Sequence, residues 1–112
     1  MYHTISDNTM EFAAAEIAEL EVNAGQAARL MRLLANRNRL LILCELIARK
    51  EASVGTLVQA VGLSQSAISQ HLARLRADSL VAFRRDAQTL LYRVDNPDAV
   101  RILATLKTIY CP

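Results

Sequence analysis

Two sets of residues in this 112-residue chain have types and spacing suited to chemistry. The first is a pair of thiols, Cys44 in LLILCEL and Cys111 in TIYCP, 67 positions apart. Two thiols brought together by a fold can be oxidised to a bridge and reduced again. The second is the polar set within GLSQSAISQHLARLR, residues 62–76. At about 100° per residue, Ile68, Leu72 and Leu75 converge on one side of a helix. Ser66, Gln70, Ala73, Arg74 and Ala77 fall opposite, with Ser69 at the margin. A merely solvated face is usually richer in Lys and Glu. Short polar side chains around one Arg suit close approach to base edges and phosphates.

Both sets need elements to hold them. Residues 1–9 (MYHTISDNT) have no apolar period and are expected to form a disordered tail. The tail places His3 third in the chain, a pattern that can chelate copper or nickel, although a plain tail is the simpler reading. Residues 10–112 are expected to form one domain. From 10 to 35 the pattern is helical, with Ile17, Leu20, Ala24, Ala27, Met31 and Leu34 recurring at steps of three and four. That stripe suits either a core face or a seam with a second copy. Asn23 and Gly25 could bend or break the helix. Asn36 is an N-cap for a helix to about Arg49, with Leu40, Leu43, Cys44 and Ile47 on one face. Ser53 caps a short helix closed by Gly62, and Ser64 caps the quoted helix, which ends near Asp78.

After Ser79 the chemistry changes. LVAFRR and TLLYRV are rich in β-branched and aromatic residues and flank Asp86-Ala87-Gln88. They predict a β-hairpin with a longer loop rather than a tight Asn-Gly turn. Asp95-Asn96-Pro97-Asp98 reads as a helix start, followed by the apolar stripe Ala99, Ile102, Leu103, Leu106 and Ile109 or Tyr110. The fold class is therefore mainly α with a small β-hairpin, in the order α-α-α-α-β-β-α.

Composition sets further bounds. Hydrophobic residues make up 53% of the chain, too many for a disordered protein. No apolar run approaches the length of a membrane span, and no signal-peptide core is visible near the start, so a cytoplasmic protein is expected. Residues 1–28 hold five acids and no Lys or Arg, which leaves the remainder at +7. A basic body favours phosphate. The hairpin carries Arg84, Arg85 and, on its return strand, Arg93. Basic residues on a hairpin beside a recognition helix make a wing that can grip backbone or minor groove. His71 lies between the core and polar sides, where a half-buried structural role competes with a DNA contact.

LLANRNRLLILCEL, followed by LVQAVGLSQSAISQHLARLRADSLVAFRRDAQTLLYRV, resembles the ArsR/SmtB family of winged-helix repressors over about residues 24–111. The SQSAISQHLARLR segment is its specific part. One departure is Asn36-Arg37-Asn38, where many members carry a Pro; it touches the cap and not the assignment. The resemblance implies a winged helix-turn-helix and a homodimer paired through the first and last helices. In this chain that interface would use Ile17, Leu20, Ala24, Ala27, Met31, Ile102, Leu106 and Ile109. It also implies double-stranded operator DNA as partner, met by Ser64, Gln65, Ser66, Ser69, Gln70, His71, Arg74, Arg84 and Arg85.

Many members of the family sense metal ions. One kind of site needs Cys-x-Cys in the helix before the recognition helix, where this chain reads SVGTLVQAV. Another needs His and Glu on the last helix, and DAVRILATLKTIYC has neither. No metal or cofactor is expected. The placement of Cys44 and Cys111 is instead similar to the dithiol branch of the family. That branch implies redox-active thiols which oxidants or reactive sulfur species join by a disulfide or polysulfide bridge, with release of DNA. In the entropy model, closing such a loop constrains the chain by about 4 kcal/mol. Arg37, Arg39 and Lys107 are cations that could favour a thiolate. Four other readings stay open. The cysteines could be a small hydrophobe and an idle thiol, the protein a metal-responsive repressor, or a DNA binder without a ligand. A thiol enzyme built on Cys111 is disfavoured, because no His, Asp or Asn is visibly arranged to activate it.

Overall fold

The computed structural model describes residues 13–111. The expected tail with His3 and residues 10–12 of the expected first helix lie outside the described residues. Five helices and two strands follow in order: α1 (Ala14–Leu34), α2 (Arg37–Arg49), α3 (Val54–Val61), α4 (Gln65–Ala77), β1 (Val81–Asp86), β2 (Thr89–Val94) and α5 (Pro97–Tyr110). This is the expected order. Two compact units divide between Met31 and Arg32.

The first unit is the body of α1. Asn23 and Gly25 do not break it. Asn23 turns its carboxamide back to donate to the Glu19 carbonyl at 3.1 Å, a bond made within the helix. Ile17, Leu20 and Met31 are about half exposed, and Val22, off the stripe, is 84% exposed.

The second unit holds the core. Ile42, Leu43 and Leu46 of α2, Leu57 of α3, and Ile68, Leu72 and Leu75 of α4 have no solvent exposure. Leu33 and Leu34 from the end of α1, Leu80 and Val81 at the start of β1, and Ala99 and Leu103 of α5 complete it. Each fully buried Leu or Ile contributes about 1.5–3 kcal/mol relative to exposure. No polar side chain is buried among the described residues.

Side chains set the helix starts as the sequence predicts. The Asn36 carboxamide accepts from the Arg39 amide at 3.0 Å, the Ser53 hydroxyl from Thr56 at 3.1 Å, and the Ser64 hydroxyl from Ala67 at 3.1 Å. Asn96 accepts from Asp98 and Ala99 ahead of α5, with Pro97 in the first position. Each such cap stabilises its helix by about 1 kcal/mol. Gly62 ends α3 at φ 82°, a left-handed conformation that suits glycine, and starts the short turn into α4.

β1 and β2 pair antiparallel, from Val81 opposite Val94 to Asp86 opposite Thr89. That register leaves only Ala87-Gln88 as the loop, so the longer loop expected from the sequence is wrong. Ala87 takes φ 57°, supplying the conformation that Asn or Gly usually provides in a two-residue turn. A backbone pair unseen in the sequence joins Ala52 to Tyr92, with bonds of 3.0 and 2.8 Å in the two directions. It fixes the chain leaving α2 to the edge of β2.

A non-glycine residue at positive φ is strained, and glycine there is not. Ala87→Gly should therefore stabilise the protein by up to about 1 kcal/mol, partly offset by glycine's greater chain entropy. Thermal unfolding followed by circular dichroism checks this; a lower midpoint would mean the turn is not strained at Ala87.

Candidate nucleic-acid interface and thiol pair

The polar side of α4 is presented as the helical wheel predicts. Ile68, Leu72 and Leu75 anchor one side in the core. Gln65, Ser66, Ser69, Gln70, Ala73, Arg74 and Ala77 are all exposed. At the helix start, the Ser64 hydroxyl caps the Ala67 amide and lies 3.3 Å from the Ser66 hydroxyl. The amides of Gln65 and Ser66, in the first turn, have no intrahelical partner by helix geometry. They face outward with the positive end of the helix dipole, an arrangement suited to an anion.

His71 is half-buried. Burial, and then the charge of Arg39, hold its imidazole below the ordinary histidine range. Both causes disfavour a charged imidazole, in keeping with the half-buried structural role. Arg39 is itself occupied. Its Nε donates to the Leu33 carbonyl at 2.9 Å and its Nη2 to the Arg32 carbonyl at 3.3 Å, closing the end of α1.

The wing is held from two sides. Arg76, at the end of α4, places its guanidinium 4.3 Å from the centre of the Phe83 ring. Phe83 in turn meets Tyr92 edge to face, at 5.4 Å and 60°. Such contacts contribute about 0.5–1.5 kcal/mol each and orient the hairpin against the recognition helix. On β1, Arg84 is forked to Glu51, Nε to Oε2 at 3.0 Å and Nη2 to Oε1 at 2.6 Å. Arg93 lies 3.8 Å from Asp95. Arg85 is exposed and makes no ion pair among the described residues. Sequence reasoning missed Arg76 and Glu51. A pair 33 positions apart leaves no local signal, although Arg76 followed by two hairpin aromatics was a weak one.

Both cysteines are exposed. The sequence placed Cys44 on an apolar stripe with Leu43; in the structure Leu43 faces the core and Cys44 turns away from it. Cys111 caps α5, its amide donating to the Lys107 carbonyl at 2.7 Å. Partial burial pushes the Cys44 thiol above its ordinary range, and the nearby negative charges of Cys111 and Glu45 add to this. Glu45 is paired with Arg49 at 2.9 Å. The expected help from Arg37, Arg39 or Lys107 is absent at Cys44: Arg39 serves the α1 carbonyls, and Arg37 reaches Asn38 at 3.4 Å. Among the described residues no three His, Cys, Asp or Glu side chains gather as a metal site, and no helix is long and apolar enough to cross a membrane.

Ile109 and Tyr110, in the last turn of α5, are exposed at 59% and 78%. Ile102 and Leu106 are half-buried along the same helix. Of the α1 stripe, Ile17, Leu20, Ala24, Ala27 and Met31 are exposed, and only Leu34 enters the core.

Residues 36–82 match the family model for bacterial regulatory proteins of the arsR family. The chain is 47% identical over 97 residues to the HTH-type transcriptional regulator YgaV of Escherichia coli K12, covering 87% of this chain and 98% of that protein. It superposes on the transcriptional repressor BigR from Xylella fastidiosa with a TM-score of 0.79, at 34% identity over 85% of this chain and 96% of that one. Reduced HlyU from Vibrio cholerae matches with a TM-score of 0.78 at 44% identity, over 84% and 98%. The first two are named as transcription regulators, not enzymes.

Because the Cys44 pKa is raised, its thiolate forms only at higher pH than that of an ordinary cysteine. Its alkylation rate should therefore rise with a midpoint above that of free cysteine, and Cys111→Ser should lower that midpoint by removing one like charge. Peptide mass spectrometry of timed alkylation across pH reads both. An ordinary midpoint that Cys111→Ser leaves in place would separate the two thiols.

Proposed function

Since this chain belongs to the arsR family of bacterial regulatory proteins and carries its winged helix-turn-helix, we propose that it is a dimeric, cytoplasmic repressor whose operator affinity is switched by bridging Cys44 and Cys111. The DNA-binding half of this reading rests on α4. Ser66, Ser69, Gln70 and Arg74 meet base edges in the major groove. Ser64 and the first amides of α4 hold a phosphate, and Arg85 follows the backbone. In a dimer the two α4 helices address half-sites one DNA turn apart, about 34 Å. The exposed apolar residues of α1, and separately those of α5, supply the surface that a second copy would cover.

What supports the switch is that both cysteines are exposed, with the charge of Cys111 among the causes that raise the Cys44 thiol. A relative of similar structure, HlyU from Vibrio cholerae, is described in its reduced form, so a redox state is specified for that protein. The chemistry balances with an organic polysulfide. One thiolate attacks a sulfane sulfur and releases a thiol. The second attacks the mixed polysulfide and releases another, so the donor gains the two electrons the protein loses. Sulfur atoms left in the bridge widen the gap it can span beyond the roughly 7 Å between Cα atoms allowed to a disulfide. If bridged and DNA-binding shapes differ, formation of the bridge shifts the balance toward the shape that accommodates it.

Metal sensing has no ligand set in its favour among the described residues. A ligand-free DNA binder would be indifferent to every thiol reagent.

Fluorescence anisotropy on the protein's own upstream DNA tests the switch. A polysulfide donor should weaken binding by the native protein by tenfold or more and leave Cys44→Ser and Cys111→Ser unaffected. Equal binding before and after treatment would make the cysteines structural. On the same duplex, Arg74→Ala should cost about 1–3 kcal/mol and relax selectivity; unchanged affinity and selectivity would remove Arg74 from the groove.

A further inference from the structure

Glu51 stands where the chain leaves α2, between Lys50, at φ 74°, and Ala52, which is paired to Tyr92. That pairing sets Glu51 beside β2. From β1, opposite Leu91, Arg84 reaches across and gives both arms of its fork to the two carboxylate oxygens. Arg93 also acts on this carboxylate by its charge. The guanidinium fork is the geometry with which arginine takes a DNA phosphate. Of the three wing arginines, one is forked to Glu51, one faces Asp95, and Arg85 alone makes no ion pair among the described residues.

We propose that Glu51 is an internal substitute for a DNA phosphate: it holds Arg84 off the duplex and so sets the affinity and salt dependence of the wing. The proposal rests on the DNA-binding reading of the wing, and it moves Arg84 from the contacts expected of the sequence to a regulated position. The pair lies at the surface, with side chains 53% and 33% exposed, so water and salt weaken it. A weak, exposed partner is one that removal of a single charge can displace. Glu51→Gln keeps the shape and removes the charge, leaving Arg84 free to take a phosphate. Binding then gains one backbone contact that carries no sequence information.

The experiment is a salt titration of binding by anisotropy, on the upstream duplex and on a scrambled one. The proteins are native, Glu51→Gln, Arg84→Ala, the double variant, and Arg74→Ala. Glu51→Gln should tighten binding to both duplexes several-fold and steepen the slope of log K against log salt by about 0.9, the value for one added phosphate. Arg84→Ala should keep the native slope, and the double variant should match Arg84→Ala. Any of the following results would overturn the proposal. The gain from Glu51→Gln could survive without Arg84, making it a field effect of one lost acid. Glu51→Gln could weaken binding at an unchanged slope, making Glu51 a structural brace. Or Arg84→Ala could flatten the native slope by about 0.9, placing Arg84 already on a phosphate. Loss of selectivity in Arg74→Ala without any Glu51 effect would sink this proposal and leave the groove reading standing. A native protein without salt-dependent binding would sink both.

Discussion

The burial of Ile68, Leu72 and Leu75 is the constraint on which the rest of this structure depends. With no exposure at three positions on one side, α4 has a single rotation about its axis that fills the core. That rotation turns Ser66, Ser69, Gln70 and Arg74 outward together. Rolling the helix would uncover side chains that each contribute about 1.5–3 kcal/mol. The polar side is therefore presented by a rigid element, as a surface for reading DNA requires. Arg76, over Phe83, then ties the wing to the end of the same helix.

Charge is spent unevenly around that surface. Arg39 closes the end of α1, Arg49 answers Glu45, Arg93 faces Asp95 and Arg84 is held by Glu51. The excess of +7 after residue 28 already counts the six acids there, so these pairings set where the positive charge sits and not how much there is. Among the described residues Arg74 on α4 and Arg85 on the wing make no ion pair, and neither do several cations elsewhere, Arg29, Arg32, Arg37, Lys50 and Lys107 among them.

Much of this was legible in the sequence because it is local. Caps at Asn36, Ser53, Ser64 and Asn96 act within three residues, and the helical period of α4 separates its two sides without reference to neighbours. The rest depends on contacts between distant segments. Glu51 meets Arg84, and Ala52 pairs with Tyr92, only because α2 and the wing are packed together. The hairpin loop was misread because Ala87 accepts a backbone conformation usually reserved for Asn or Gly. Cys44 was misread by one helical position: Leu43 took the core, and the thiol beside it was left on the outside.

That placement has a mechanical consequence. α2 is held by Ile42, Leu43 and Leu46 inside and by the Ala52 backbone pair at its end. Shifting it would cost several of these buried contacts at about 1.5–3 kcal/mol apiece. The last turn of α5 has no such anchors: Ile109, Tyr110 and Cys111 are all exposed. Were Cys44 and Cys111 bridged as proposed, the bond would join a helix anchored in the core to the end of a helix whose last turn the core does not hold.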